Sequence, residues 1–152
     1  MENKIYNSVF GNLTLQSDWV KDELFTFKLF DKNYEVLVSI VDNSVVDRIN
    51  EKQESCYKKL TANKLGIFEE VSTLLSTYFS QLSAESISSA LQFSGIYFST
   101  NGTCVLSGTI DLDDDTLAEY DIGPDNEFGI EIMPQLELLP SNDDVVMKIY
   151  YE

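Results

Sequence analysis

Histidine is absent from the 152-residue chain. That removes Ser-His-Asp and Cys-His nucleophile pairs, imidazole proton shuttles and the usual zinc sites. Glycine is sparse: the seven glycines are scattered, and none is followed by Lys-Ser or Lys-Thr. No loop of this chain is built to cradle phosphates, so nucleotide-dependent chemistry has no support. The two cysteines, Cys56 and Cys104, stand far apart in different kinds of segment. Neither a metal-type spacing nor a disulfide framework is present, and both read as reduced, packed thiols. No apolar run is long enough to span a bilayer, and Met1-Glu2-Asn3-Lys4-Ile5 lacks a basic region followed by an apolar one. A cytoplasmic location with no membrane contact is the expectation, and the glycosylation-like Asn12-Leu13-Thr14 and Asn101-Gly102-Thr103 are then chance matches.

Positive charge is the other scarcity, and it is unevenly distributed. Residues 1–64 carry 10 acids and 9 bases, whereas residues 65–152 carry 16 acids and a single base, Lys148. Nearly all of the net charge of −16 is therefore C-terminal. A clustered negative field repels phosphate backbones and attracts basic surfaces, which disfavours nucleic acid as a partner and favours a basic protein. The alternative is that the acids only keep the chain soluble.

What the chain has in quantity is apolar and aromatic material, 43% and 12% of residues. That is too much for a disordered acidic tail, and the length suits one hydrophobic core and one domain over residues 1–152. β-rich runs open the chain: Ile5 to Phe10 and Leu13 to Gln16 around Gly11-Asn12, then Leu24 to Phe30 and Tyr34 to Ile40 around Asp31-Lys32-Asn33. From Asn50 the period lengthens, with Gln53, Tyr57 and Leu60 on one helical face. After Asn63-Lys64, the residues Ile67, Val71, Leu74, Leu75, Tyr78, Phe79 and Leu82 form a broad apolar stripe, the pattern of a helix laid on a sheet. Ser83 to Ala90 reads as a polar connector. Leu91 to Ser99 and Thr103 to Ile110 flank Thr100-Asn101-Gly102, which predicts a hairpin with a type I′ turn. Phe128 to Met133, Gln135 to Leu139 and Val145 to Tyr151 are the remaining strand candidates. The predicted fold is α+β, an antiparallel sheet with two central helices packed on one face.

Carboxylates are abundant, 26 in all. Asp111, Asp113 and Asp115 stand at the first, third and fifth positions of an EF-hand-like run, but Thr116 occupies the position that needs Gly and Ile122 the one that needs a bidentate Glu. A solvated acidic loop is the expectation, with no metal or other cofactor. Asp125 with Glu127 or Glu131 could serve as a glycosidase pair, but among so many acids such pairs arise by chance.

The run Gly123-Pro124-Asp125-Asn126-Glu127-Phe128-Gly129-Ile130-Glu131-Ile132 resembles an acidic Trp-Asp-x-Glu-His-Gly turn-and-strand. That motif ends a loosely characterised bacterial domain family, some of whose members are toxin-immunity-like proteins of the cytosol. Val9-Phe10-Gly11-Asn12-Leu13, the strands around Phe30 and Tyr34, and Gln53 to Tyr57 are also similar to that family. The resemblance implies an α+β fold and an immunity role, and carries over no catalytic residue.

The resulting expectation is a non-enzymatic acidic binding protein, an immunity protein or inhibitor of a basic toxin such as a nuclease. Asp111, Asp113, Asp114, Asp115, Glu119, Asp121, Asp125 and Glu127 would pair with Lys or Arg of the partner, with Tyr120 as an exposed aromatic anchor. The alternative is a structural or assembly module whose acidic face serves solubility.

Overall fold

A computed structural model of the chain describes residues 3–43 and 48–151. Strands β1 (Lys4–Asn7) and β2 (Gly11–Leu15) form the first hairpin. Its turn lies at residues 8–10, earlier than Gly11-Asn12, because Asn7 Oδ1 accepts from the backbone N–H groups of Val9 and Phe10 at 2.8 and 2.9 Å and closes the turn before the glycine. A short strand that the sequence reading missed, β3 (Trp19–Lys21), pairs with β2 and with the end of β5. Strands β4 (Phe25–Leu29) and β5 (Lys32–Ile40) meet at a tight turn on Phe30 and Asp31 instead of Asp31 to Asn33. Both turn residues take the left-handed region (φ 52° and 64°), the backbone of a type I′ connection.

Helices α1 (Glu51–Ala62) and α2 (Lys64–Tyr78) follow where the period predicted them. Asn50 and Gln53 form a reciprocal capping box at the start of α1. The Ser-rich connector is itself helical: α3 (Ala84–Ala90) starts at Ser83, whose side chain accepts from Ser86 N–H, and buries Ile87 and Ala90. This three-helix crossover joins β5 to β6 (Leu91–Phe98), and such a crossover allows the two strands to run parallel. The sheet is therefore mixed, not wholly antiparallel: β5–β6 is parallel and every other described pairing is antiparallel.

Strand β7 (Cys104–Ile110) returns from β6. In the turn between them Gly102 is left-handed (φ 88°) while Asn101 is not, so the turn is not type I′. Ser99 N–H bonds Thr103 C=O and Gly102 N–H bonds Ser99 C=O, which wraps the loop around the glycine. After a short helix, α4 (Asp114–Glu119), come β8 (Glu127–Met133) and β9 (Glu137–Leu139), with a cis Met133–Pro134 bond between them. Among the described residues the sheet holds nine strands in the order β1-β2-β3-β5-β6-β7-β8-β9, with β4 on β5.

The chain ends in a helix, α5 (Asn142–Tyr150), where the β-branched run Val145 to Tyr151 had predicted a strand. Local capping overrides that propensity. Ser141 accepts from Asp144 N–H, Asp143 and Asp144 occupy the first turn, Lys148 the last, and Val145 and Ile149, one turn apart, are the buried pair.

The core is aromatic-rich on the α2 side. Phe27 of β4 stacks on Phe68 of α2 with ring centroids 4.4 Å apart, and Phe25, Tyr34 and Phe93 surround them. Val71, Leu75 and Phe79 of the predicted stripe are fully buried. Cys56 and Leu60 of α1 join this cluster together with Cys104 and Leu106 of β7. Val105, between those two, points across the pleat into a separate cluster with Leu139 and with Val145 and Ile149 of α5. Gly129 of β8 permits the close approach of α5: a Cβ there would lie 2.5 Å from Val145 Cγ2 and 3.0 Å from Leu106 O. Gln53 is completely buried and satisfied, giving Nε2–H bonds to Val41 O (2.9 Å) and Phe98 O (3.1 Å) while its Oε1 accepts from Asn50 N and Asn43 Nδ2.

Candidate functional site

All nine residues singled out in the sequence fall on or beside one connection, the segment 111–127 from the end of β7 to the start of β8. Apolar residues of this segment decide which way its acids face. Leu117 and Ile122 are buried in the main core, and Leu112 and Tyr120 pack against it. With those four turned inward, Asp111, Asp113, Asp114, Asp115, Glu119, Asp121 and Asp125 are exposed and Glu127 is half-buried. Backbone bonds hold the frame: Asp111 N–H to Ala90 O at 2.9 Å, Ile110 N–H to Asn126 O at 3.1 Å, and Ile122 N–H to Leu117 O at 2.9 Å. Asp121 and Asn126 take left-handed conformations (φ 62° and 56°) that reverse the chain after α4 and before β8.

The acids differ in what they do locally. Asp113 caps α4, its Oδ1 accepting from Thr116 N–H and from Thr116 Oγ1–H at 2.8 Å each. The Thr116 amide bond is the main reason its carboxyl titrates below the usual range. Asp114 and Asp115 sit in the first turn of α4, where negative charge is favoured. Asp125 accepts from Glu127 N–H at 3.3 Å. Glu119, the last residue of α4, and Asp121, two residues beyond, lie at the end of the helix where negative charge is disfavoured. None of the nine residues takes part in an ion pair among the described residues.

Tyr120 departs from its expected place. It is half-buried: its ring packs edge-on to Phe79 with centroids 4.9 Å apart and beside Tyr78. Its C=O accepts from Tyr78 O–H and its own hydroxyl accepts from Gln81 N–H at 3.2 Å. Tyr120 thus fastens the acidic segment to the C-terminal end of α2 and is not a free anchor. The Tyr78 hydroxyl titrates above its ordinary range, chiefly through burial and also through the neighbouring charge of Asp121.

Lys148, the one base of the C-terminal half, is turned inward. Its Nζ lies 3.1 Å from Oε1 of Glu131, whose side chain is only 5% exposed. Glu131 Oε2 accepts from Gln135 N–H at 3.3 Å. The acidic segment is therefore not neutralised by that lysine.

Cys56 of α1 and Cys104 of β7 are both buried in the main core cluster. Cys56 lines a pocket of about 470 Å³ with Lys52, Ser55, Lys59, Asn101 and Met133. None of the nine acidic-segment residues lines it. Among the described residues no group of three or more Cys, Asp or Glu could hold a metal ion, and no helix is long and apolar enough to cross a membrane.

Residues 9–135 match a family model described as a domain of unknown function, DUF6985. This bears out, in its coarse form, the resemblance to an uncharacterised domain family. No curated protein and no solved structure matches the chain.

Proposed function

The chain belongs to the DUF6985 family, and on that premise we propose that it is a non-enzymatic binding protein that docks a basic protein on the connection between β7 and β8. The observation that carries this reading is the position of Glu119 and Asp121. Capping and the helix dipole account for Asp113, Asp114 and Asp115 within the fold. Nothing internal offsets Glu119 and Asp121, which stand beside α4's negative end with no ion pair among the described residues. Cations brought by a partner would relieve that unfavourable placement and steer its approach.

Within this reading the partner is a toxin with a basic active site, such as a nuclease, and the chain is a bacterial immunity protein acting in the cytoplasm. A second reading, an assembly module whose acids serve solubility, draws on the local roles of Asp113, Asp114 and Asp115. The two separate in a pull-down from lysate of the producing organism. The intact chain is compared with a variant carrying Glu119→Gln, Asp121→Asn, Asp125→Asn and Glu127→Gln, which spares the cap at Asp113. Recovery of one basic protein, weakened by salt and lost in the variant, supports the binding reading. Equal recovery by both chains, or none by either, favours the solubility reading.

A further inference from the structure

We propose that the groove between α1 and the β8–β9 turn binds a small amphipathic organic anion, a carboxylate carried on an apolar chain. Two neighbouring cavities make up this groove. The first, of about 470 Å³, is walled by α1, by the β6–β7 turn and by Met133 and Pro134. The second, of about 500 Å³, shares Lys59, Met133 and Pro134 with it and continues along Ile67 of α2 to Ile132 and Leu136. Both volumes fall within the roughly 300–1,000 Å³ of small-molecule sites. No residue of the segment 111–127 borders either cavity, so the site is separate from the docking surface on the β7–β8 connection.

The first cavity supplies recognition of charge. Lys52, Ser55 and Lys59 stand three and four residues apart along α1, and all three border it. Residues at that spacing share one helix face, and the seven-residue step sets the two lysines about 10 Å apart along the axis. Neither lysine takes part in an ion pair among the described residues. Glu51 is the only acid among the described residues that border this cavity, so its wall carries net positive charge in a chain of net charge −16. Gly102 brings the β6–β7 turn directly onto the stem of Lys52: a Cβ there would lie 3.3 Å from Lys52 Cβ. Two ammonium groups and the Ser55 hydroxyl between them are donors suited to an oxyanion.

The second cavity supplies the apolar part. Ile132 belongs to the main core, and Ile67, Met133 and Leu136 pack against it half-buried, each also bordering the groove. An alkyl chain laid there takes its own surface and that of the walls out of water, a gain without direction. Charge gives the direction. Glu70 borders the second cavity and repels an anionic head, which leaves the head at Lys52 and Lys59 and the tail toward Leu136.

The test titrates the full, isotope-labelled chain with octanoate below its micelle concentration and follows the backbone amide shifts. Expected are saturable shifts at Lys52, Ser55, Lys59, Gly102 and Ile67, with residues 111–127 unmoved, and weaker binding of octyltrimethylammonium, which keeps the tail and reverses the head. Lys52→Gln with Lys59→Gln is expected to weaken octanoate binding about fivefold or more. Lys4→Gln with Lys28→Gln, which removes the same charge from exposed positions outside both cavities, is expected to change it less than about twofold. The wild-type shift map and the comparison of head groups decide the proposal even where a lysine variant folds poorly. Absence of saturable shifts, shifts spread over the whole chain, equal affinity for the two head groups, or an equal loss in both lysine pairs would each overturn it.

Discussion

Replacing Lys148 by Met removes the cation from a carboxylate that has almost no water to turn to. Glu131 is 5% exposed and its Oε1 has no hydrogen-bond partner, so its compensation is the charge of Lys148 at 3.1 Å. Breaking a buried ion pair from one side costs about 3–5 kcal/mol, because the remaining charge is stranded. Lys148 itself is 25% exposed, so solvent reaches its end of the pair and the expected loss falls to about 2–3 kcal/mol. For a domain of this size that lowers Tm by roughly 4–10 °C, and with a urea m-value of about 2 kcal/mol per molar it lowers the midpoint by roughly 1–1.5 M. The assay is urea unfolding followed by far-UV circular dichroism on four chains: wild type, Lys148→Met, Glu131→Gln, and the double variant. In the Glu131→Gln background the lysine replacement is expected to cost under about 1 kcal/mol, since a neutral amide is not stranded by losing it. A loss below about 1 kcal/mol in the wild-type background, or the same loss in both, refutes the reasoning and makes Lys148 a surface residue in energetic terms.

Three further outcomes follow from the packing. Gly129→Ala sets a methyl 2.5 Å from Val145 Cγ2 with the Leu106 carbonyl behind it, and is expected to cost about 1–3 kcal/mol by thermal unfolding while loosening α5. Gln53→Leu leaves Val41 O and the Asn50 N–H without their buried partner; a loss of about 2–4 kcal/mol in urea unfolding is expected, and a neutral result would show that the latch is dispensable. Burial raises the titration of Tyr34, Tyr57, Tyr78, Tyr97 and Tyr150, the last also through its O–H bond to Asp18 at 2.5 Å. A raised folded-state value means the unfolded chain ionises first. Stability from these groups is therefore complete below about pH 10 and lost as pH rises beyond it, so phenolate absorbance and loss of circular dichroism should rise together in an alkaline titration.

The sequence by itself determined the elements whose pattern is local and strong. The i, i+4 spacing of Val71, Leu75 and Phe79 within the predicted stripe gives α2, because every turn returns an apolar residue to one face. Alternation from Tyr34 to Ile40 gives β5 in the same way. The exposure of the acidic segment also follows locally, since charged groups stay in water and the few apolar residues among them supply the anchors.

Short elements escaped because competing local signals decide them. The run Val145 to Tyr151 is rich in strand-forming residues, yet Ser141, the acids after it and the i, i+4 pair Val145–Ile149 make a helix that packs onto Gly129. In α3 and α4, side-chain caps at Ser83 and Asp113 start helices of seven and six residues, too short for periodicity to register.

Only tertiary structure decided the rest. That Tyr120 faces Tyr78 and Phe79 and that Lys148 meets Glu131 are contacts between distant parts of the chain. No residue's own neighbourhood in sequence encodes them. They arise when the crossover through α1, α2 and α3 brings β6 parallel to β5 and sets β7 and β8 beside it, with Cys104 in the main core and Val105 packed with α5 on the other side of the sheet. Long-range closure of this kind creates the neighbours that set a carboxylate's partner or an aromatic ring's packing, whereas a periodic pattern sets only which face of an element is buried.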